Sequence, residues 1–454
     1  MTDAASNSPK SEHKPQSEAK RSLLQTLEVD TRLLGMIGAF LVICLSFQFW
    51  TGIRAMPVFV PNPLEWLSAG RFFVPQNTFN ITIQTVSVAI MAAGMVFVIV
   101  MRHIDLSVGS LLALCSSVMA VFQTQIMPNT FGFGLEHPLT APLSVLVGIL
   151  TGVIVGSFQG WLIGYQRIPS FIVTLGGLLI WSRVAYFIAG GQTVGPLDGT
   201  FLMLGGTNGT IGVTASWILG AIAAAGAVYG LIKSRRARAG HGFPVKPVWA
   251  EAALSAIAVA AILGFVALLN SNEVPTARLR RLFAARGETM PEGYTEFYGI
   301  PISVLLLLIV ALVLTVMSSR TRLGRYIYAT GGNPDAAELS GINTRLLTVK
   351  VFGLMGGLCG ISAAVASARL SNHSLDLGSL DELRVIAAAV IGGTALAGGM
   401  GTVYGAILGA LIMQSLQSGM AMVGVDAPFQ NIVVGMVLVL AVWIDIQYRK
   451  RTGV

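Results

Sequence analysis

The chain has 454 residues, of which 54% are hydrophobic and only 11% charged, and its mean hydropathy is +0.73. Its apolar residues form runs of about 18 to 25, long enough for helices to cross a bilayer, and because these runs do not alternate they exclude a transmembrane barrel. The net charge of +8 does not indicate nucleic-acid binding, since the basic residues lie between apolar runs, where the positive-inside rule explains them. The sequence therefore predicts an all-α polytopic membrane protein in contact with membrane lipid.

In chain order, residues 1–30 are polar and predict a disordered cytoplasmic tail, followed by a transmembrane domain over 31–454. Basic residues before the first apolar run and at 449–451 after the last one place both termini in the cytoplasm. The apolar runs predict about twelve transmembrane segments, at 33–50, 79–101, 106–125, 141–165, 169–188, 211–232, 248–269, 300–317, 346–368, 383–396, 402–423 and 429–448.

Four of the predicted regions depart from a simple series of spans. Segment 383–396 is too short for an ordinary crossing, and the glycine pairs near its end predict a half-helix or re-entrant piece. Region 211–270 is predicted to be an inserted helical hairpin with a basic cytoplasmic connection. Loop 189–210 has no lysine or arginine and is expected outside, whereas loop 270–297 carries four arginines and is placed outside only by the parity of the crossings.

The polar segment 318–345 lies between two apolar runs and predicts a short cytoplasmic helix. Asn333 can cap this helix with its side-chain oxygen, and Pro334 suits the first helical position. Gly341 supplies a left-handed stop after Ser340. A helix of about seven residues is not stable alone in water, so its neighbours must position it.

Motifs for catalysis are missing from the sequence. There is no phosphate-binding GxxxxGK[ST] loop, HExxH pair or GxSxG elbow, so the sequence indicates neither an enzyme nor a cofactor. Cys44, Cys115 and Cys359 lie in apolar surroundings without metal-ligand spacing and are interpreted as core residues, with no metal site.

Few polar residues are candidates for a translocation path. Asp105 and Ser107 lie at the tight junction between two apolar runs, where Asp105 either caps the following helix or contacts a solute. Arg183 lies within a predicted span, where it either lines the path or makes an interhelical or interfacial contact. Gln192 and Thr193 belong to an uncharged outer loop that either meets a hydroxyl-rich solute or its carrier, or is an ordinary loop.

Four stretches, in order, resemble the membrane permease subunits of ribose/xylose-type ABC sugar importers. They are IDLSVGS at 104–110, PSFIVTLG at 169–176, GRYIYATGGNPDAAELSGIN at 324–343 and IAAAVIGGTALAGG at 386–399. The resemblance covers about residues 80–195 and 299–447. The inserted pair of spans at 211–270 is similar to that of the xylose permeases.

The resemblance implies the permease subunit of an ATP-driven importer for D-xylose or a related pentose in the bacterial inner membrane. It implies a homodimer, a separate cytoplasmic ATP-binding subunit and a periplasmic sugar-binding protein. It also implies that a helix of this chain docks in the ATPase, formed by Asn333, Pro334, Ala336, Ala337, Leu339, Ser340 and Gly341. On that basis, Ala337→Glu is expected to leave membrane insertion intact and to abolish ATPase association.

Two departures from the family pattern leave the sugar open: His103 stands where the family has Gly or Glu, and loop 270–297 is long. The main alternative function is an ion-coupled secondary sugar transporter. Such a transporter needs a buried carboxylate for coupling, and predicted spans with few acidic residues argue against it. A channel or a membrane scaffold is a third class, and neither would need the capped helix.

Overall fold

The computed structural model describes residues 31–56 and 62–452. The predicted tail 1–30 therefore lies outside the described residues. Helices α1 to α16 within the described part are Thr31–Ala55, Pro63–Ala69, Pro75–Val100, Val108–Phe131, Thr140–Gly164, Ser170–Ile188, Gly212–Gly240, Val248–Asn270, Thr276–Ala285, Ile302–Arg320, Arg322–Gly332, Pro334–Leu339, Thr344–Leu370, Asp381–Ile391, Val403–Met422 and Ala427–Thr452. Two short helical turns, Gly199–Leu202 and Met203–Gly205, lie between α6 and α7. Isolated bridges, but no strands, accompany the helices in this part of the chain.

Ten of these helices are long and apolar enough to cross a membrane, counted over the described residues. They are α1, α3 to α8, α10, α13 and α15. Helix α16 carries a shorter apolar stretch, Ala427–Trp443, and α14 has only 11 residues. The all-helical membrane architecture predicted from the sequence is confirmed. The described residues contain ten candidate spans, and the predicted number of about twelve stays a prediction.

The core lies between α3 and α13, whose residues are buried along most of their length. Helix α5 packs on α13 through glycines at every fourth position, Gly152, Gly156 and Gly160. A Cβ atom on Gly152 would overlap the Gly356 carbonyl, and one on Gly356 would overlap the Gly152 carbonyl. Small residues allow this close approach, which gives van der Waals contact where lipid provides no hydrophobic drive.

Helices α7 and α8 pack against each other, with Arg235 Nη1 2.7 Å from Glu251 Oε2 near their connection. The chain entering the hairpin pairs with the chain leaving it, since the Ile211 amide donates to the Ile300 carbonyl at 3.1 Å. The Ile302 amide likewise donates to the Gly209 carbonyl at 3.0 Å. Because these two points are adjacent, α7, α8 and α9 can be inserted without moving the flanking spans.

Loop 270–297 contains a helix that the apolar runs did not predict, α9. Its Arg278 donates to the Thr207 carbonyl and lies 5.6 Å from the centre of the Tyr298 ring. Tyr298 in turn stacks on Phe79 at the start of α3, with ring centroids 5.1 Å apart. The loop thus packs on the same side of the bundle as loop 189–210. The Thr207 carbonyl and the Tyr298 ring are the groups that accommodate the Arg278 guanidinium there.

Candidate functional site

Helix α12 has the capping geometry that the sequence predicts. Asn333 is extended, with φ −150° and ψ 102°, and its side chain accepts a hydrogen bond from the Ala336 amide at 3.0 Å. Pro334 is the first helical residue, and Gly341 has φ +82°. The helix has 6 residues and ends at Leu339, one residue earlier than predicted, because Ser340 is its C-cap.

The two faces of α12 differ in exposure, which the sequence could not reveal for so short a helix. Ala337 is only 4% exposed and anchors the helix, whereas Leu339 is 90% exposed. Ala336 and Ser340 are also exposed, and Ser340 Oγ donates to the Ala336 carbonyl at 2.8 Å. The surface that α12 offers is therefore centred on Leu339, and Ala337→Glu would perturb packing before it perturbed docking.

Helix α11 joins α12 to the membrane bundle. The Tyr328 hydroxyl donates to the Gly401 carbonyl at 2.6 Å, in the connection between α14 and α15. At the end of α11, Arg102 Nε donates to the Gly331 carbonyl at 2.9 Å and Nη2 to the Gly332 carbonyl at 2.7 Å. The segment that carries α12 is thus bonded to two interruptions in the helical spans, one after α3 and one before α15.

Residues 101–107 form the interruption after α3, and Asp105 braces it. Its Oδ1 accepts from the Ser107 amide at 2.8 Å and lies 2.7 Å from Ser107 Oγ, which is 3.1 Å from Gln159 Oε1. The next helix begins at Val108, not near Leu106 as predicted, so Asp105 stabilises the turn before the helix and does not cap its first turn. Burial raises the pKa of Asp105, and the hydrogen bonds from Ser107 oppose that shift.

The structure does not bring the other predicted path residues next to Asp105. Arg183 is exposed on α6. Because Thr174 of the same helix bonds to the Ile104 carbonyl at 3.2 Å, Arg183 lies nine residues, roughly 13 Å, further along the axis. Gln192 and Thr193 are exposed in the loop after α6, just before Val194.

Sequence reasoning missed a charged cluster at the start of α14. Asp381 accepts from Arg384 at 3.1 Å. Arg384 Nε and Nη2 also face the Gln417 side-chain amide, whose oxygen accepts from them at 2.9 and 3.1 Å when the amide is turned so that its oxygen and nitrogen exchange places. Glu382 is 7% exposed. The apolar run predicts a segment that begins only at residue 383, so Asp381 and Glu382 are left outside it. The acidic pair directly before an alanine-rich stretch is the signal of a helix start that would have found them.

Metal ligation finds no support in the described residues, which contain no cluster of three or more His, Cys, Asp or Glu side chains able to hold an ion. Cys44, Cys115 and Cys359 are free and buried, as expected of core residues.

A bundle of helices long and apolar enough to cross a membrane defines a polytopic membrane protein. The family model for the permease component of the branched-chain amino acid transport system matches residues 77–442. The chain belongs to this family. The predicted transport subunit, as opposed to an enzyme, is thereby confirmed.

Relatives within this family are named for sugar transport. The chain is 37% identical to the xylose transport system permease protein XylH of Haemophilus influenzae over 382 residues, which cover 84% of this chain and 92% of the relative. It is 35% identical to XylH of Escherichia coli over 387 residues, covering 85% and 89%. It is 32% identical to the ribose import permease protein RbsC of Escherichia coli over 374 residues, covering 82% and 87%. No solved structure matches.

Proposed function

We propose that this chain is the permease subunit of an ATP-driven importer that carries D-xylose or a related pentose across the bacterial inner membrane. It works with a separate cytoplasmic ATP-binding subunit and a periplasmic sugar-binding protein, and two copies of the chain form the membrane unit. The names of the relatives support the sugar class, and the xylose permeases match with higher identity than the ribose permease. The inserted α7–α8 pair supports the same choice.

The proposed topology has both termini in the cytoplasm, α14 as a re-entrant half-helix and α12 on the cytoplasmic side. Helix α14 has 11 residues, about 16 Å, which is too short for a hydrocarbon core of about 30 Å. The basic residues near the α7–α8 connection favour the cytoplasm at that end. The contact between loops 270–297 and 189–210 supports an outer position for both.

The observation that carries the proposal is the exposure of Leu339 on a helix fixed at both ends. An apolar side chain that is 90% exposed outside the spans is suited to a cleft of a partner protein. Closure of the ATPase dimer would move α12, and the bonds from α11 to Arg102 and Gly401 would carry that movement to the interrupted spans. The coupling segment is thus 318–345, with the helix residues predicted from the sequence.

The proposed translocation path includes Asp105 and Ser107 at the interruption after α3. The positions of Gln192 and Thr193, exposed beside Val194, suit contact with the solute or its binding protein at the outer mouth. Arg183 is exposed five residues before the end of α6, from where its guanidinium can reach the membrane surface or a second copy of the chain.

Co-purification tests the proposal. The tagged chain is expressed with the ATP-binding subunit and binding protein encoded beside it, solubilised and isolated. A stable complex with the ATP-binding subunit is expected. If the chain is isolated well folded and alone under every detergent tested, and carries sugar with a proton or sodium gradient, the ion-coupled alternative is correct.

A further inference from the structure

Helices α7 and α8 leave a cleft between them close to their connection. The cleft has a volume of about 70 Å³, several times the roughly 10–15 Å³ that one water molecule requires. It is lined by three basic side chains, one carboxylate and two leucines, which are Arg235, Arg238, Lys246, Glu251, Leu231 and Leu254. The cleft therefore combines cationic and apolar walls and has room for a small anionic group.

Arg235 holds the two sides of this cleft together. Its Nη1 donates to the Lys246 carbonyl at 3.0 Å and to Glu251 Oε2 at 2.7 Å, so the end of α7 is bonded to the connection and to the first turn of α8. Arg238 lies three residues after Arg235 and therefore on the same face of α7. With three cationic side chains and one carboxylate, the lining as a whole is positively charged.

The sequence around the cleft extends this positive charge. Residues 233–250 contain five lysine or arginine residues and no aspartate or glutamate. Clusters of basic residues beside a transmembrane helix attract anionic phospholipids, and basic pockets between such helices bind their headgroups. The charge of the cleft is thus complementary to an anionic lipid.

The cleft also lies at the depth of lipid headgroups. The apolar stretch of α7 ends at Ile232, and residues 233–240 continue the helix for roughly 12 Å. A headgroup layer is about 5–8 Å thick on each side of the hydrocarbon core. Tyr229 and Trp249, which are 65% and 52% exposed, flank this level, and both residue types favour the membrane interface.

Apolar surface continues from the cleft along both helices. Ile222 on α7 and Ile257 on α8 are each 63% exposed, and they belong to the apolar stretches that qualify these helices as candidate spans. A headgroup in the cleft can therefore place its acyl chains on these faces. A soluble anion would meet the same cations without gaining this apolar contact.

We propose that the cleft between α7 and α8 binds an anionic phospholipid, with its phosphate beside Arg238 and Lys246 and its acyl chains along α7 and α8. Arginine and lysine donate charge-assisted hydrogen bonds to phosphate oxygens. Glu251 is held by Arg235 at one side of the cleft and disfavours anions there less than an unpaired carboxylate would. The site lies on the inserted pair of helices and does not depend on the transported sugar.

The test measures lipid binding to the purified full-length chain in detergent by native mass spectrometry. Phosphatidylglycerol is titrated against phosphatidylethanolamine with the same acyl chains, and inorganic phosphate is added as a competitor. The double variant Arg238→Gln with Lys246→Gln is compared with Lys233→Gln and Arg236→Gln together. Both pairs remove one arginine and one lysine from the same segment, but Lys233 and Arg236 are exposed and do not line the cleft.

The wild type should bind phosphatidylglycerol about tenfold more tightly than phosphatidylethanolamine, and millimolar phosphate should not displace it. The cleft pair of substitutions should remove this preference, whereas the control pair should change it by less than about twofold. Ser234→Trp, at an exposed position in the lining, should also remove the preference, because it fills the cleft without changing its charge. Arg238→Lys with Lys246→Arg should keep the preference, and it serves with Ser234→Trp if the glutamine pair does not fold.

Equal loss in the cleft and control pairs would show that only the general charge of the segment attracts lipid, and would overturn the site. Displacement by phosphate alone would mean that the cleft takes a soluble anion. A change in the number of chain copies per complex, with lipid binding unchanged, would assign the cleft to a contact between copies. Because the measurement uses neither sugar nor ATP, each of these results leaves the proposed transport function untouched.

Discussion

Arg102 is bonded to Gly331 across more than two hundred residues of sequence, with Nε 2.9 Å from the glycine carbonyl oxygen. A second bond to the Gly332 carbonyl, at 2.7 Å, makes the contact bidentate. Arg102 follows α3 and Gly331 precedes α12, so the contact joins the proposed coupling segment to the turn that holds Asp105. In the proposed mechanism, a movement of α12 would be transmitted through these bonds to the end of α3 and the turn before α4.

Arg102→Gln should uncouple ATP hydrolysis from transport. Two hydrogen bonds from a charged group contribute about 1.5–3 kcal/mol each, so their loss should lower sugar uptake per ATP by about tenfold or more. Association with the ATP-binding subunit should persist, because α12 itself is unchanged. Arg167→Gln is the matched control: Arg167 also has a positive φ, 58° against 65° for Arg102, and is exposed in the turn between α5 and α6. Equal uptake per ATP in both variants would contradict this role.

Leu339→Glu should weaken binding of the ATP-binding subunit by about tenfold or more, since a charge would have to enter an apolar cleft. Leu339 is 90% exposed, so the fold should be unaffected. Phe243→Glu is the control, at a position 64% exposed near the α7–α8 connection. Binding is measured by titration in detergent. Normal affinity in Leu339→Glu would place the docking surface elsewhere.

Asn333→Ala should fray α12 without unfolding the protein. Loss of an N-cap costs about 1 kcal/mol, which corresponds to about fivefold faster amide exchange in the helix. Asn333→Asp keeps the acceptor for the Ala336 amide and should exchange at the wild-type rate. Hydrogen exchange of the peptide that covers α12 measures both, and unchanged exchange in the alanine variant would show that the neighbours alone hold the helix.

Gly152→Ala should destabilise the bundle by about 1–3 kcal/mol, because the new methyl group overlaps the Gly356 carbonyl. Gly176→Ala is the control, since nothing lies within 4 Å of a Cβ atom at that position. The midpoint of thermal unfolding in detergent should fall only in the first variant. If the two variants unfold at similar midpoints, α5 and α13 can move apart to admit the methyl group without a loss of stability.

Much of this architecture was predictable, because the hydrophobicity of a span and the capping of a helix are local properties. The span corresponding to α13 was expected at 346–368 and is part of Thr344–Leu370. The capped helix α12 follows from Asn333, Pro334 and Gly341, each of which acts within a few residues.

The faces of the helices and the contacts between distant segments were not predictable. Spans in lipid are apolar all round, so periodicity does not show that Gly152 meets Gly356 or that Glu382 meets Gly109. Helix α9 was missed because loop 270–297 is polar, and hydropathy alone does not detect an exposed helix. The predicted segment 383–396 began too late because Asp381 and Glu382 are polar, although α14 starts at Asp381.

Transport by the purified, reconstituted system distinguishes ATP-driven import from ion-coupled transport. Vesicles that contain this chain with its ATP-binding subunit, and the binding protein on the opposite side, are given labelled xylose with and without ATP. We expect uptake that requires ATP and its hydrolysis and that an uncoupler does not reduce. Uptake that proceeds without ATP and follows a proton or sodium gradient would contradict it.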